Sequence, residues 1–161
     1  MSVDLSDQSL HTSWKDLTTH NSITNWILFS FHDNTNKLYC SGSGSGGIDE
    51  LRDKLDSTQV QFGAFRVVGV DDRETTVSRR PKFIWFTSIG GGVGILKKAR
   101  VSVMKPELSK FFESCVVNIQ ISDKDELNKI EIGKKLLASG GAHKPSHYEF
   151  AENDNVLISE L

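Results

Sequence analysis

The chain has 161 residues, 37% of them apolar and 25% charged, with a formal net charge of −2. That length suits one domain with a sizeable core, and the composition excludes global disorder. The near-neutral balance excludes a globally basic nucleic-acid footprint, so a charge-driven partner has to meet a local surface.

Leu10, Trp14 and Leu17 recur at i, i+4, i+7 behind Asp4 and Asp7, which predicts a first helix over 6–19. Trp26 to Phe31 reads as a strand, Asp33 to Asn36 as a turn, and Lys37 to Cys40 as the hairpin partner. A glycine and serine loop over 41–47 leads to Ile48, Leu51 and Leu55, spaced for a short second helix. Residues 60–70 and 82–87 read as strands around a polar tip at 71–74, and the unbroken apolar centre of the second suggests cover on both faces. A glycine turn at 90–94 opens a third helix from about 93 to 104, with Leu96, Ala99 and Val103 facing the core; Pro106 interrupts or restarts it. Residues 116–121 alternate as a strand. Ser122 and Asp125 resemble a capping box, and Leu127, Ile130 and Leu137 line a last helix that Gly140 and Gly141 stop. The order α-β-β-α-β-β-α-β-α predicts an α/β protein of the α+β type. It has a five-stranded mixed sheet with helices on both faces, one domain over 1–142 and a loosely ordered polar tail over 143–161.

Catalytic chemistry finds little support. Gly42-x-Gly44-x-x-Gly47 formally matches a dinucleotide fingerprint, but the preceding strand is short and polar, and no acidic residue stands about 20 positions further on. A flexible connector is the preferred reading; a nucleotide-binding enzyme using this loop is the remote alternative. His143 and His147 are four apart, but nearby glycines and Pro145 argue against a helical metal pair. Cys40 and Cys115 have no paired spacing and read as reduced, part-buried thiols. No catalytic residue, metal site or cofactor is expected. The N-terminus lacks the basic start and apolar run of a signal peptide, and no stretch approaches the roughly 18 apolar residues that cross a bilayer, so the expected address is cytoplasmic.

Many weak motifs, in order, point further: Trp26, Phe62 to Arg66, Ser78 to Phe83, Ile89-Gly90, Leu96 to Arg100, Val117 to Asp123, Glu126-Leu127 and Gly140 to Ala142. Over roughly residues 10–142 the chain resembles the coactosin family, of actin-depolymerising-factor homology. The resemblance implies that fold, binding to the side of actin filaments and little or no severing. It places a critical lysine at Lys82, with Arg79 and Arg80 before it, and a basic helical segment at Lys97, Lys98 and Arg100, with Lys105 further along. The family's lysines ahead of the terminal Ala-Gly-Gly fall on Leu137 and Ala138, so the support moves to Lys134 and Lys135. Ser88 stands where the family has tryptophan, and Ser2 is only a formal candidate for the serine switch of actin-depolymerising factors. Because the 90–94 turn links Lys82 to Lys97 in sequence, the cations are expected to converge in one basic surface on a monomeric protein. Weak binding of actin monomers, or a cofilin-like severing role, is the alternative within the fold; the glycine turn and a helix broken at Pro106 argue against it.

Overall fold

The computed structural model describes residues 2–73, 75–141 and 144–161. β1 (Trp26–Phe31) lies between β2 (Leu38–Gly44) and β3 (Val60–Asp72), antiparallel to both. β3 pairs antiparallel with β4 (Val77–Ile89) along its full length, and β5 (Val117–Ile121) runs parallel to β4. The sheet is therefore mixed, as the sequence predicts, in the order β2-β1-β3-β4-β5.

Helices cover both faces. α1 (Gln8–Thr18) and α3 (Ile95–Phe111) pack on one side, with Ile27, Phe29, Phe62 and Trp85. α2 (Gly47–Lys54) and α4 (Lys129–Ser139) pack on the other, with Trp26, Leu28, Ile84 and Phe86. Successive strand side chains point to opposite faces, so a strand covered twice needs apolar groups at every position. That is why the centre of β4 is apolar without interruption.

Local chemistry sets the helix ends. Asp7 caps α1 by accepting from the Ser9 N–H at 2.9 Å. The Ser9 hydrogen bonds, with help from His32, lower the Asp7 carboxyl to about 2. Arg66 of β3 fastens the far end of α1, donating to the Leu17 carbonyl at 3.2 Å and the Ser22 carbonyl at 2.9 Å. Asn128 caps α4 by accepting from Ile130 and Glu131, and the buried face of α4 is Ile132, Gly133 and Leu136. Ile130 and Leu137 are only half-buried, and the expected Ser122–Asp125 box is replaced by a 3-10 turn over Lys124–Glu126 capped by Asp123.

Three expectations need correction. The C-terminal segment is not a loose tail: β6 (His147–Ala151) pairs with β3 at Val68–Val70, and β7 (Asp154–Leu157) pairs with β6, giving a sheet of seven strands among the described residues. Tyr148, Phe150 and Val156 are buried there, and Lys129 ties the hairpin to α4 and α2 through Asp154 at 2.6 Å and Asp49 at 3.4 Å. Alternate apolar residues in a five-residue run sufficed to bury one face of a strand. Second, α3 is one continuous helix of 17 residues with Pro106 inside. The proline removes one hydrogen bond, and Val101, Met104 and Leu108, buried on either side of it, hold both halves to the sheet. Third, Leu96, Ala99 and Val103 are exposed, because the core face of α3, Val101, Met104 and Leu108, is set roughly 140° around the helix from theirs.

Candidate functional site

Arg79, Arg80 and Lys82 stand on the first half of β4, where the strand edge is open because β5 reaches only Ile84–Ser88. Arg80 and Lys82 share a face with Ile84 and Phe86 and line a notch with Leu136 of α4, Gly140 at its C-terminal cap and Tyr148 of β6. Arg79 points to the other face, where it donates two hydrogen bonds to the Glu149 carboxylate at 2.6 and 3.2 Å. That pairing raises the Arg79 pKa above its ordinary value. Lys134 and Lys135 are exposed on the last turns of α4, at the end that carries the notch. Lys134 sits 3.6 Å from Glu131, a surface contact of little energetic weight.

Lys97, Lys98 and Arg100 occupy the first two turns of α3 and are exposed. Their side chains form no hydrogen bond or ion pair among the described residues. Ile95 and Leu96 beside them are 84% and 76% exposed, and Val103 is exposed one turn later. This cluster of bare apolar groups among cations escaped the sequence reading, which assigned Leu96 and Val103 to the core. The helix carries two apolar stripes, and only packing against the sheet decides which is covered. A cavity of about 660 Å³ opens between this half of α3 and the tip of the β1–β2 hairpin, lined by Lys97, Arg100 and Met104 on one side and Phe31, His32 and Asp33 on the other.

The two groups do not form one surface, contrary to the sequence-based expectation. Lys82 and Ile89 are seven residues apart in extended chain, about 23 Å at the rise of a strand. The glycine turn that starts α3 follows Ile89, at the opposite end of β4 from Lys82. The sheet also intervenes, since α3 packs on the Trp85 face and Lys82 lies on the Ile84 face. A long strand carries the chain across the molecule, so closeness to the turn in sequence is not closeness in space. Lys105, two turns after Lys98 on α3, is engaged within the molecule: its Nζ donates to Gln120 and ties α3 to β5.

The glycines at 42–47 serve packing. Gly42 and Gly44 lie in the edge strand β2, and a Cβ at Gly44 would collide with Glu50 and sit 2.7 Å from Trp26 Nε1. Gly47 adopts φ +70°, open to glycine at little cost. The N–H groups a phosphate would need are taken: Gly46 donates to Glu50 at 3.3 Å and Gly47 to Asn25 at 2.8 Å. His143, of the His143–His147 pair, lies outside the described residues; among the described residues no cluster of three potential metal ligands occurs. Both cysteines are free and half-buried, and burial pushes the Cys115 thiol up to about 12. No helix among the described residues is long and apolar enough to cross a membrane.

Residues 2–137 match the family of cofilin/tropomyosin-type actin-binding proteins. Coactosin of Dictyostelium discoideum is 34% identical over 141 residues, covering 87% of this chain and 93% of its own. The crystal structure of coactosin from Entamoeba histolytica superposes with a TM-score of 0.73 at 22% identity, covering 87% of this chain and 98% of that one. The solution structure of mouse coactosin, an actin filament binding protein, gives 0.67 at 20% identity, covering 88% and 95%.

Proposed function

The chain belongs to the cofilin/tropomyosin-type actin-binding family, and from that membership we propose that it binds the side of actin filaments through two separate basic surfaces. The first comprises Arg80, Lys82, Lys134 and Lys135 around the open edge of β4 and the end of α4. The second comprises Lys97, Lys98 and Arg100, with Ile95, Leu96 and Val103 as apolar anchors. Actin filaments are acidic, so both surfaces gain from long-range attraction. Each exposed cation contributes only about 0.2–1 kcal/mol; affinity comes from several acting together and from desolvated apolar anchors. The mechanism is binding that alters filament dynamics, with no chemical step, by a monomer resident in the actin cytoskeleton.

One observation carries the filament preference: the surfaces lie on opposite faces of the sheet, about 23 Å apart along β4. A polymer offers successive subunits to both at once. The continuity of α3 favours a second reading, in which α3 alone holds an actin monomer, since the broken helix invoked against that role is whole. Charge reversal separates the two. On filaments, Lys82→Glu and Lys98→Glu each weaken co-sedimentation, and both lose affinity as salt is raised. If Lys82→Glu pellets like the parent while Lys98→Glu alone loses monomer binding, the monomer reading replaces the filament one.

A further inference from the structure

Lys97-Lys98-Ala99-Arg100-Val101-Ser102 places cations five, four and two residues ahead of an exposed serine. We propose that Ser102 is a phosphorylation site for a basic-directed serine/threonine kinase, and that a phosphate there weakens filament binding through the start of α3. The second half rests on the filament reading above; the first stands alone.

Ser102 is placed to receive and keep a phosphate. Its hydroxyl is committed only to a backbone bond, donated to the Ala99 carbonyl at 3.0 Å. It lines a cavity of about 290 Å³ between α3 and β5 with Lys105, Ser109, Asn118 and Gln120. Lys98 and Lys105 stand four residues before it and three after it, on the same side of the helix. Lys105 already reaches into the cavity toward Gln120 and can turn to a phosphate as a charge-assisted donor. In the transfer, Ser102 Oγ bonds to the γ-phosphorus of ATP, the bond to the ADP oxygen breaks, and the hydroxyl proton passes to the kinase's carboxylate base. The product adds close to two negative charges near neutral pH, enough to cancel most of the field of Lys97, Lys98 and Arg100.

Kinase clefts take extended chain, and this stretch is the part of α3 most easily unwound. Gly94 offers no side-chain cap, and the first turn has no acidic residue. Lys97 and Lys98 sit at the positive end of the helix dipole, where cations are unfavourable. No side chain from 94 to 100 is buried. Pro106 has no N–H to return to the Ser102 carbonyl. Before the proline, among the described residues, Val101 and Met104 are the only buried side chains of the helix, with the Lys105–Gln120 bond beside them.

The test treats the full chain with Mg-ATP and the catalytic subunit of cyclic-AMP-dependent protein kinase, maps phosphate by mass spectrometry, and pellets the product with filaments. The expected result is one phosphate on Ser102, none there in Ser102→Ala, and roughly fivefold weaker pelleting of the modified chain. Ser102→Ala treated in parallel pellets like the untreated parent. Phosphate only at other residues, or a Ser102-phosphorylated chain that pellets unchanged, overturns the proposal. Should the unmodified chain itself stay in the supernatant, the filament reading falls, while incorporation at Ser102 still decides the modification site.

Discussion

Arg79 and Glu149 clasp the start of β4 to the C-terminal hairpin across β3, with oxygen–nitrogen distances of 2.6 and 3.2 Å. Of the three cations grouped on β4, this one is neutralised within the molecule. Glu149→Gln should release it. Because the pair is partly exposed, unfolding free energy should fall only by about 0.2–1 kcal/mol. Filament pelleting should strengthen, since one more free cation joins the open edge. Weaker pelleting together with unchanged urea melts would take Arg79 out of the binding surface.

Phe150 of β6 is almost fully buried in the layer shared with Trp26, Phe65 and Leu136. Phe150→Ala should cost about 3–5 kcal/mol by creating a cavity, read from the shift in a urea midpoint. A loss below about 1 kcal/mol would mean that the hairpin is not docked in solution.

How much of this was legible in the sequence varies by element. β1, β3 and β4 announced themselves through dense β-branched and aromatic runs, and α1 through its spacing and its aspartate cap. The C-terminal hairpin did not, because its strands have only five and four residues and bury just Tyr148, Phe150 and Val156 between polar neighbours. Such a pattern reads as solvent-loving until a partner edge is known, and that edge, Val68–Val70, lies some eighty residues away. The same limit applied to the cations. Their identities and local clustering were plain, but their division between two faces follows from the length and direction of β4, and the exposure of Leu96 follows from the phase of α3 against the sheet.

Asp7 titrates near 2 in the folded chain, below the ordinary 3.8, chiefly through its hydrogen bonds from Ser9. A depressed carboxylate adds stability that is complete above the unfolded value and disappears as pH drops toward the folded one. Asp7→Asn keeps a capping side chain but removes the charge. Between pH 4 and 2 the parent's melting temperature should therefore fall more steeply than the variant's, as followed by circular dichroism. Asp4, Asp49 and Asp56 are lowered as well, so both curves decline; their difference isolates Asp7. Parallel curves would contradict the assignment.

The Cys115 thiol, raised to about 12 by burial, is almost wholly protonated at pH 8. In a Cys40→Ser background, a thiol-reactive chromogenic disulfide should label the native chain very slowly and the urea-unfolded chain at once. Rapid native labelling would show that the segment after α3 opens far more readily than its packing suggests.

The sheet that keeps the two cationic groups apart also partitions the indoles. Trp26 is sealed beneath α2, its Nε1 donating to Glu50 at 2.7 Å, whereas Trp85 stacks on Phe112 at 5.2 Å on the far side, in the layer that also holds Trp14. Ultraviolet emission thus arises from two chambers divided by a single ply of backbone. With Trp14 and Trp85 changed to phenylalanine, light from Trp26 would monitor one chamber alone, and the converse variant the other, so loosening of either half could be watched while its neighbour stayed closed.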